Sequence, residues 1–169
     1  SRGNILKRYL AKDWVNEGTA EAAAAKRIRD RHFLMAHRHK LALIDGDETT
    51  SDQPSSEWLA RLDGSLFTAT NGYAGPGVST SNGVYSIGTY SSWNWKAEGQ
   101  AGMRTHTNNW ESWFQTNAPG VERFLYLIDE TTNLPELEQW ANWVKTNPGI
   151  GKNLATFATL PLPEAIAQT

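Results

Sequence analysis

Two adjacent carboxylates, Asp129 and Glu130, are the residues whose type and spacing best suit catalysis. They directly follow the apolar run 124–128, which predicts a buried strand. Cleavage of a glycosidic bond needs an acid that protonates the leaving oxygen and a group that stabilises positive charge at the anomeric carbon. The pleat ends with the strand, so both side chains can reach one pocket. The pair is therefore the candidate catalytic site, and the alternative is two acids that begin a loop or cap a helix.

A second acidic cluster consists of Asp45, Asp47 and Glu48. It follows the apolar run 41–44, which predicts another buried strand ending in acids. These three carboxylates are candidate substrate-binding residues from a neighbouring strand. Because Asp-Gly-Asp also suits a solvated turn, that alternative stays open.

Aromatic residues are frequent, with eight tryptophans and five tyrosines in the chain. A pyranose ring packs its C–H face well on an aromatic face. In the Gly- and Ser-rich region 71–95 we expect Trp93 and Trp95 to be sugar-stacking platforms, with Tyr73 and Tyr90 behind them. The alternative is that these side chains are only large core residues.

Three histidines, His32, His37 and His39, lie close together in the sequence and are followed by Asp45. A metal-dependent hydrolase would need such residues, although their spacing matches no specific zinc motif. They also suit a helix C-terminus, where basic residues are favourable. The carboxylate chemistry requires no cofactor, and no metal site is predicted for it.

The predicted elements alternate between helices and short apolar strands. Helices are expected at 4–16, at 20–38 with Thr19 as its N-cap, at 57–62, at 105–117 and from Asn133 onward, and strands at 41–44, 84–90, 124–128 and 154–160. Strand, helix and strand follow one another with short connections in the second half, which predicts a parallel sheet. Parallel sheets carry their sites at the carboxyl ends of the strands, where both acidic clusters are expected.

The composition limits the class of protein. A length of 169 residues suits a single domain over 1–169, and a net charge of −2 gives no basic field for nucleic acid or an anionic membrane surface. No apolar run approaches the roughly 20 residues that span a bilayer. The absence of cysteine excludes disulfides and thiolate chemistry. Carbohydrate is the expected partner, and an extracellular or periplasmic location is favoured.

The segment 123–130, Arg-Phe-Leu-Tyr-Leu-Ile-Asp-Glu, resembles the catalytic barrel region of glycoside hydrolase family 123, which is β-N-acetylgalactosaminidase-like. The segments 33–43 and 110–114 are also similar to parts of such barrels. The resemblance implies a (β/α)-barrel that cleaves N-acetylhexosaminides by a retaining, substrate-assisted mechanism. It would make Asp129 the residue that orients the acetamido group and Glu130 the acid/base.

Two features depart from that family. Thr131 follows the acidic pair where many relatives have a proline, and about four mainly parallel strands are expected where a full barrel needs eight. The predicted fold is therefore an α/β, partial or fragmentary barrel, with a remaining barrel segment or a homo-oligomer as possible partners. A non-catalytic carbohydrate-binding or structural module derived from such a barrel is the main alternative function.

Overall fold

The computed structural model describes residues 2–44, 51–161 and 163, and the packing of the chain divides it into two compact units. The first unit comprises Ser1–Leu43 and Ala60–Asn82, and the second comprises Ile44–Leu59 and Gly83–Thr169. The sequence suggests one domain over 1–169. Each unit is described here by itself.

The described residues form five α-helices and three parallel β-strands, which confirms a mixed α/β fold. The helices are α1 (Arg2–Leu10), α2 (Ala20–Arg38), α3 (Ser56–Leu62), α4 (Gly99–Asn117) and α5 (Leu134–Lys145). The strands are β1 (Val84–Ile87), β2 (Glu122–Ile128) and β3 (Ala155–Ala158). The first helix ends earlier than its apolar spacing predicts, and none of the helices within the described ranges is long and apolar enough to cross a membrane.

The prediction of a buried strand at 41–44 is wrong. The segment has no regular secondary structure, and Leu41 and Ile44 are exposed. The side chain of Asn82 takes the place of a neighbouring strand: its amide donates to the Leu43 carbonyl at 3.0 Å and its oxygen accepts from the Leu43 N–H at 3.4 Å. Because these backbone groups are satisfied by a side chain, an apolar run does not require a sheet here.

The first unit is built on the packing of α1 against α2. Ile5, Leu6 and Ala25 form its buried centre, and Thr19 caps α2 by accepting a hydrogen bond from the Ala22 N–H at 3.3 Å, which confirms the predicted N-cap. The hydroxyl of Thr19 satisfies one of the N–H groups that the first helical turn leaves unpaired.

The second unit is built on the parallel sheet, with β2 between β1 and β3. On one face, the Tyr85 ring contacts Trp110 and Phe114 of α4 at centroid distances of 5.8 and 5.2 Å. On the other face, Tyr126 and Phe157 are register partners, with ring centroids 5.0 Å apart. Helices on one face of a parallel sheet are the arrangement that the predicted βαβ unit requires.

An ion pair connects α4 to the centre of this sheet. Arg123 of β2 donates from both Nε and a terminal nitrogen to the two carboxylate oxygens of Glu111, which is buried. These hydrogen bonds raise the pKa of Arg123 above its usual value, against the opposing effect of burial. The two-pronged geometry fixes the register of α4 on β2, and β2 carries the candidate site.

The helix after the candidate site begins as its sequence predicts. The side chain of Asn133 accepts from the Glu136 N–H at 3.4 Å, and Asn133 and Glu136 also bond to each other at 3.2 Å. The two residues are three apart, which is the spacing of a capping box. The helix α5 then buries Trp140 and Val144.

Candidate functional site

Asp129 follows β2 directly, and two hydroxyl groups hold its side chain. Tyr126 donates to Oδ1 of Asp129 at 2.8 Å, and Thr159 donates to the same oxygen at 2.7 Å. Tyr126 lies on β2, Asp129 directly follows β2, and Thr159 directly follows β3. The site therefore lies where two adjacent parallel strands end. Among the described residues, both bonds go to Oδ1, which leaves Oδ2 open to an incoming donor.

These two hydroxyls stabilise the negative charge of Asp129. The hydrogen bond from Thr159, and then that from Tyr126, lowers the pKa of the Asp129 carboxyl below its ordinary value. Hydrogen bonds donated to a carboxylate stabilise the ionised form. Asp129 is therefore an anion at neutral pH. Burial raises the pKa of the Tyr126 phenol, which consequently stays protonated and remains a donor.

Glu130 follows in the left-handed backbone region, with φ of 47°. This conformation is uncommon for a residue other than glycine, Asn or Asp. Its N–H donates to Oγ1 of Thr159 at 2.9 Å, so one hydroxyl fastens both acidic residues to the end of β3. The side chains of Asp129 and Glu130 are both exposed.

A bulge lies just before this site. Tyr126 pairs with Phe157, but Ile128 pairs with the next residue, Ala158, so β2 has one extra residue in this step. Bulges bend a strand locally and redirect its side chains, and they are frequent next to active sites. The bulge and the left-handed Glu130 together turn the chain out of the sheet at the acidic pair.

The prediction that Trp93 and Trp95 offer open faces to a sugar is wrong. Each is only 5% exposed. Trp93 donates its indole N–H to the Leu127 carbonyl at 3.0 Å and packs edge-on against Trp140, and Trp95 stacks on His106. Both rings belong to the core of the second unit, which is the alternative that the sequence left open.

The other two predicted aromatic residues differ from each other. Tyr73 is buried in the first unit, where its hydroxyl donates to the Pro76 carbonyl and its ring packs on Phe67 and His37. Its predicted role as a sugar-stacking residue is therefore wrong as well. Tyr90 is 69% exposed, and its ring centroid lies 5.8 Å from that of Tyr126, so it stands beside the acidic pair.

Phe157 is a further exposed aromatic residue at this edge, and it was missed by the sequence analysis. It is 45% exposed and contacts Tyr126 from the side of β3. Its position in a short apolar run made it look like an ordinary core residue. It lies on β3, which has a single neighbour among the described strands.

The turn that carries Tyr90 is held in place by the side chain of Lys96. Tyr90 and Ser91 have φ of 55° and 59°, two consecutive left-handed residues that are not glycine. Lys96 donates to the carbonyl of Ser91 and lies 3.2 Å from its hydroxyl. Burial lowers the pKa of Lys96, and the charge of Glu136 partly offsets that effect. Strained residues of this kind persist only when their surroundings hold them, and they are concentrated at functional sites.

The second acidic cluster, Asp45, Asp47 and Glu48, lies outside the described residues. The expectation that these three carboxylates line the same site as Asp129 and Glu130 stays a prediction.

The three histidines do not converge. His32 bonds to the Ile28 carbonyl at 2.8 Å, His37 bonds to the Gly77 carbonyl at 3.0 Å, and His39 is the C-cap of α2. Within 2–44 and 51–161, no three His, Asp or Glu side chains are grouped so that they could hold a metal ion. The arrangement of the described part therefore gives the metal-dependent alternative no support.

Searches for similar proteins match this chain to no family model, no curated protein and no solved structure.

Proposed function

We propose that this chain is glycoside hydrolase-like and cleaves N-acetylhexosaminides by a retaining, substrate-assisted mechanism. The observation that carries the proposal is the pair of hydroxyls on Oδ1 of Asp129, which hold this carboxylate in place and stabilise its ionised form while Oδ2 stays open. A fixed carboxylate with one open oxygen suits the N–H of a 2-acetamido group. Glu130, the next residue, supplies a second, separately oriented carboxyl group.

In the proposed reaction, Oδ2 of Asp129 accepts the acetamido N–H of the substrate and orients the amide. The amide carbonyl oxygen attacks the anomeric carbon as Glu130, in its acid form, protonates the glycosidic oxygen. The bond to the leaving group breaks, and an oxazolinium ion forms beside the Asp129 anion. Glu130, now a carboxylate, takes a proton from water, which attacks the anomeric carbon and restores the acetamido group with net retention.

The fold that belongs to this proposal is a (β/α)-barrel. The proposal is supported by three parallel strands with helices packed on one face, and by the position of the acidic pair at the carboxyl-terminal edge of this sheet. Further strands would add beside β1 and β3, each of which has one partner among the described strands. They would come from another chain segment or from a second copy of this chain.

The exposure of both carboxylates favours a second candidate, a carbohydrate-binding module that does not turn its ligand over. General acid catalysis needs a carboxyl group whose pKa is raised by an apolar or like-charged setting. An exposed Glu130 is better suited to hydrogen bonding with sugar hydroxyls. In this candidate Asp129 and Tyr90 bind the sugar, and Glu130 is not required for chemistry.

The test uses p-nitrophenyl glycosides of N-acetylgalactosamine and N-acetylglucosamine with wild type, Asp129→Asn and Glu130→Gln. We expect each substitution to lower kcat by about 100-fold or more, the usual contribution of a positioned acid or base. Glu138→Gln, which changes an exposed acid on α5, is the matched control and should leave kcat unchanged. Glycosides with a 2-hydroxyl in place of the acetamido group should not be hydrolysed, because they lack the internal nucleophile.

Hydrolysis that survives both substitutions would exclude this mechanism. Binding of N-acetylglucosamine oligomers without hydrolysis, unchanged in Glu130→Gln and weakened in Asp129→Asn, would instead establish the binding module.

A further inference from the structure

His106, on α4, is the titratable group of the second unit with the most complete set of charged partners. Its Nδ1 lies 2.7 Å from Oδ1 of Asp52, and its Nε2 lies 3.1 Å from Oε2 of Glu98. The imidazole stacks on the Trp95 ring with an interplanar angle of 21°. When both ring nitrogens carry a proton, each can donate to one carboxylate. These residues are separate from the proposed carbohydrate site.

We propose that His106 is a pH-responsive clamp. In its protonated form it fastens Asp52 and Glu98 together against α4, and on deprotonation it releases Glu98 while retaining Asp52.

The order of release follows from the two contacts. A neutral imidazole keeps one N–H, so one ring nitrogen must then present a lone pair to a carboxylate. Asp52 is the better partner to retain, because its contact is shorter and its side chain is 12% exposed, against 55% for Glu98. Its second oxygen also accepts from the Asn109 amide at 2.8 Å. The proton therefore stays on Nδ1, and the lone pair of Nε2 repels the carboxylate of Glu98.

The backbone near Glu98 leaves room for its side chain to reach His106. Gly102 lies one turn into α4, and a Cβ there would be 2.2 Å from Cβ of Glu98. Only glycine at this position lets Glu98 fold back over the first turn and reach His106. Asp52, on the other side, holds a left-handed backbone with φ of 53°, which costs free energy that the bonds to His106 and Asn109 offset.

The charges facing His106 come from the two elements beside it, Asp52 from the segment before α3 and Glu98 from the turn before α4. Burial lowers the pKa of His106, but the bonds to Asp52 and Glu98 outweigh it and place the pKa above its ordinary value. The stability that the clamp contributes is thus fully present below the unfolded histidine pKa of about 6.5 and is lost as pH rises through the folded pKa.

The test is an NMR pH titration of the full chain, which follows the ring Cε1–H signals of its four histidines and the side-chain carboxyl carbons of Asp52 and Glu98. The histidine signals of the same chain unfolded in urea are the reference. We expect His106 to titrate at higher pH in the folded chain than in the unfolded chain, and the Glu98 carboxyl signal to move at the His106 midpoint more than the Asp52 signal does. Glu98→Gln should lower the His106 midpoint, and Glu122→Gln, an exposed acid on β2, should not.

A His106 midpoint in the folded chain at or below that of the unfolded chain would overturn the clamp. Equal movement of the Asp52 and Glu98 carboxyl signals would overturn the order of release. Both readouts come from the wild-type chain, so the outcome does not depend on whether a substituted protein folds.

Discussion

The hydroxyl of Thr159 lies 2.7 Å from Oδ1 of Asp129 and at the same time accepts the backbone N–H of Glu130 at 2.9 Å. A single side chain at the end of β3 therefore stabilises the ionised form of one acid and fixes the backbone position of the other. This arrangement needs the two strands to end side by side, which the parallel pairing of β2 and β3 provides. Thr159 is a positioning residue of the candidate site, since it acts through Asp129 and Glu130.

Thr159→Val tests this role, because it keeps the shape of the side chain and removes the hydroxyl. We expect the pKa of Asp129 to rise, because its largest stabilising hydrogen bond is lost. A carboxyl with a depressed folded pKa contributes stability above its unfolded pKa of about 3.9 and loses that contribution as pH falls through the folded pKa. The part of the stability difference that comes from Asp129 should therefore be present at neutral pH and be lost in acid, whereas the loss of the acceptor for the Glu130 N–H should cost stability at both pH values.

The measurement is the Asp129 carboxyl carbon shift against pH, together with urea unfolding at neutral and acid pH. Thr156→Val changes an exposed threonine on β3 itself and is the control. An unchanged Asp129 titration in Thr159→Val would mean that Tyr126 alone holds the carboxylate.

Much of this edge of the sheet could be predicted from the sequence, because it depends on residues that are close together along the chain. The run 124–128 alternates too little to be a half-exposed strand, and it is indeed the central strand β2, in which Leu125, Tyr126 and Leu127 are buried. The cap of α5 at Asn133 depends on side chains three residues apart, so its spacing is visible in the sequence. These two patterns, which depend on near neighbours along the chain, were confirmed.

Features that depend on distant residues could not be predicted. The apolar run 41–44 looked like β2, but Asn82 satisfies the backbone of Leu43 from 39 residues away. Trp93 was expected to be exposed and is buried, whereas Phe157 lies in an apolar run and is exposed. Exposure depends on which element covers each ring. The partnership of His106 with Asp52 joins residues 54 positions apart, and no spacing rule indicates it.

Glu111→Ala should destabilise the second unit strongly. It would leave the Arg123 guanidinium without its carboxylate partner beside the core. Loss of one member of a buried ion pair typically costs about 3–5 kcal/mol, because the remaining charge stays desolvated. Glu122→Ala, at an exposed position on the same strand, is the control and should cost well under 1 kcal/mol. Equal urea midpoints for the two variants would show that the pair contributes nothing beyond a surface contact.

Gly88→Ala should also lower the free energy of unfolding. Gly88 directly follows β1 and has a φ of 65°, and a Cβ at this position would lie 2.6 Å from Cδ1 of Trp93. The left-handed backbone and the overpacking together should cost about 3 kcal/mol. Gly120→Ala is the matched control, because nothing lies within 4 Å of a Cβ there. Thermal unfolding followed by circular dichroism would compare the two, and the idea fails if Gly88→Ala melts with wild type.

Tyr90→Ala should weaken sugar binding without affecting the fold. Tyr90 is 69% exposed and its ring lies beside Tyr126, whose hydroxyl bonds to Asp129, so a pyranose held by Asp129 would lie near the Tyr90 face. Loss of one stacking contact of about 0.5–1.5 kcal/mol corresponds to a roughly 2- to 10-fold increase in Kd. Calorimetric titration with an N-acetylglucosamine disaccharide, in the Glu130→Gln background so that the ligand is not consumed, measures this directly.

Two further variants decide how the result is interpreted. Phe157→Ala should show a similar loss if sugar also contacts the β3 side of Tyr126, and no loss if the ligand lies only on the Tyr90 side. Trp14→Ala removes an exposed aromatic ring of the first unit and should leave Kd unchanged. If Trp14→Ala weakens binding as much as Tyr90→Ala does, the ligand binds exposed rings without selectivity. The acidic pair would then be no part of a carbohydrate site.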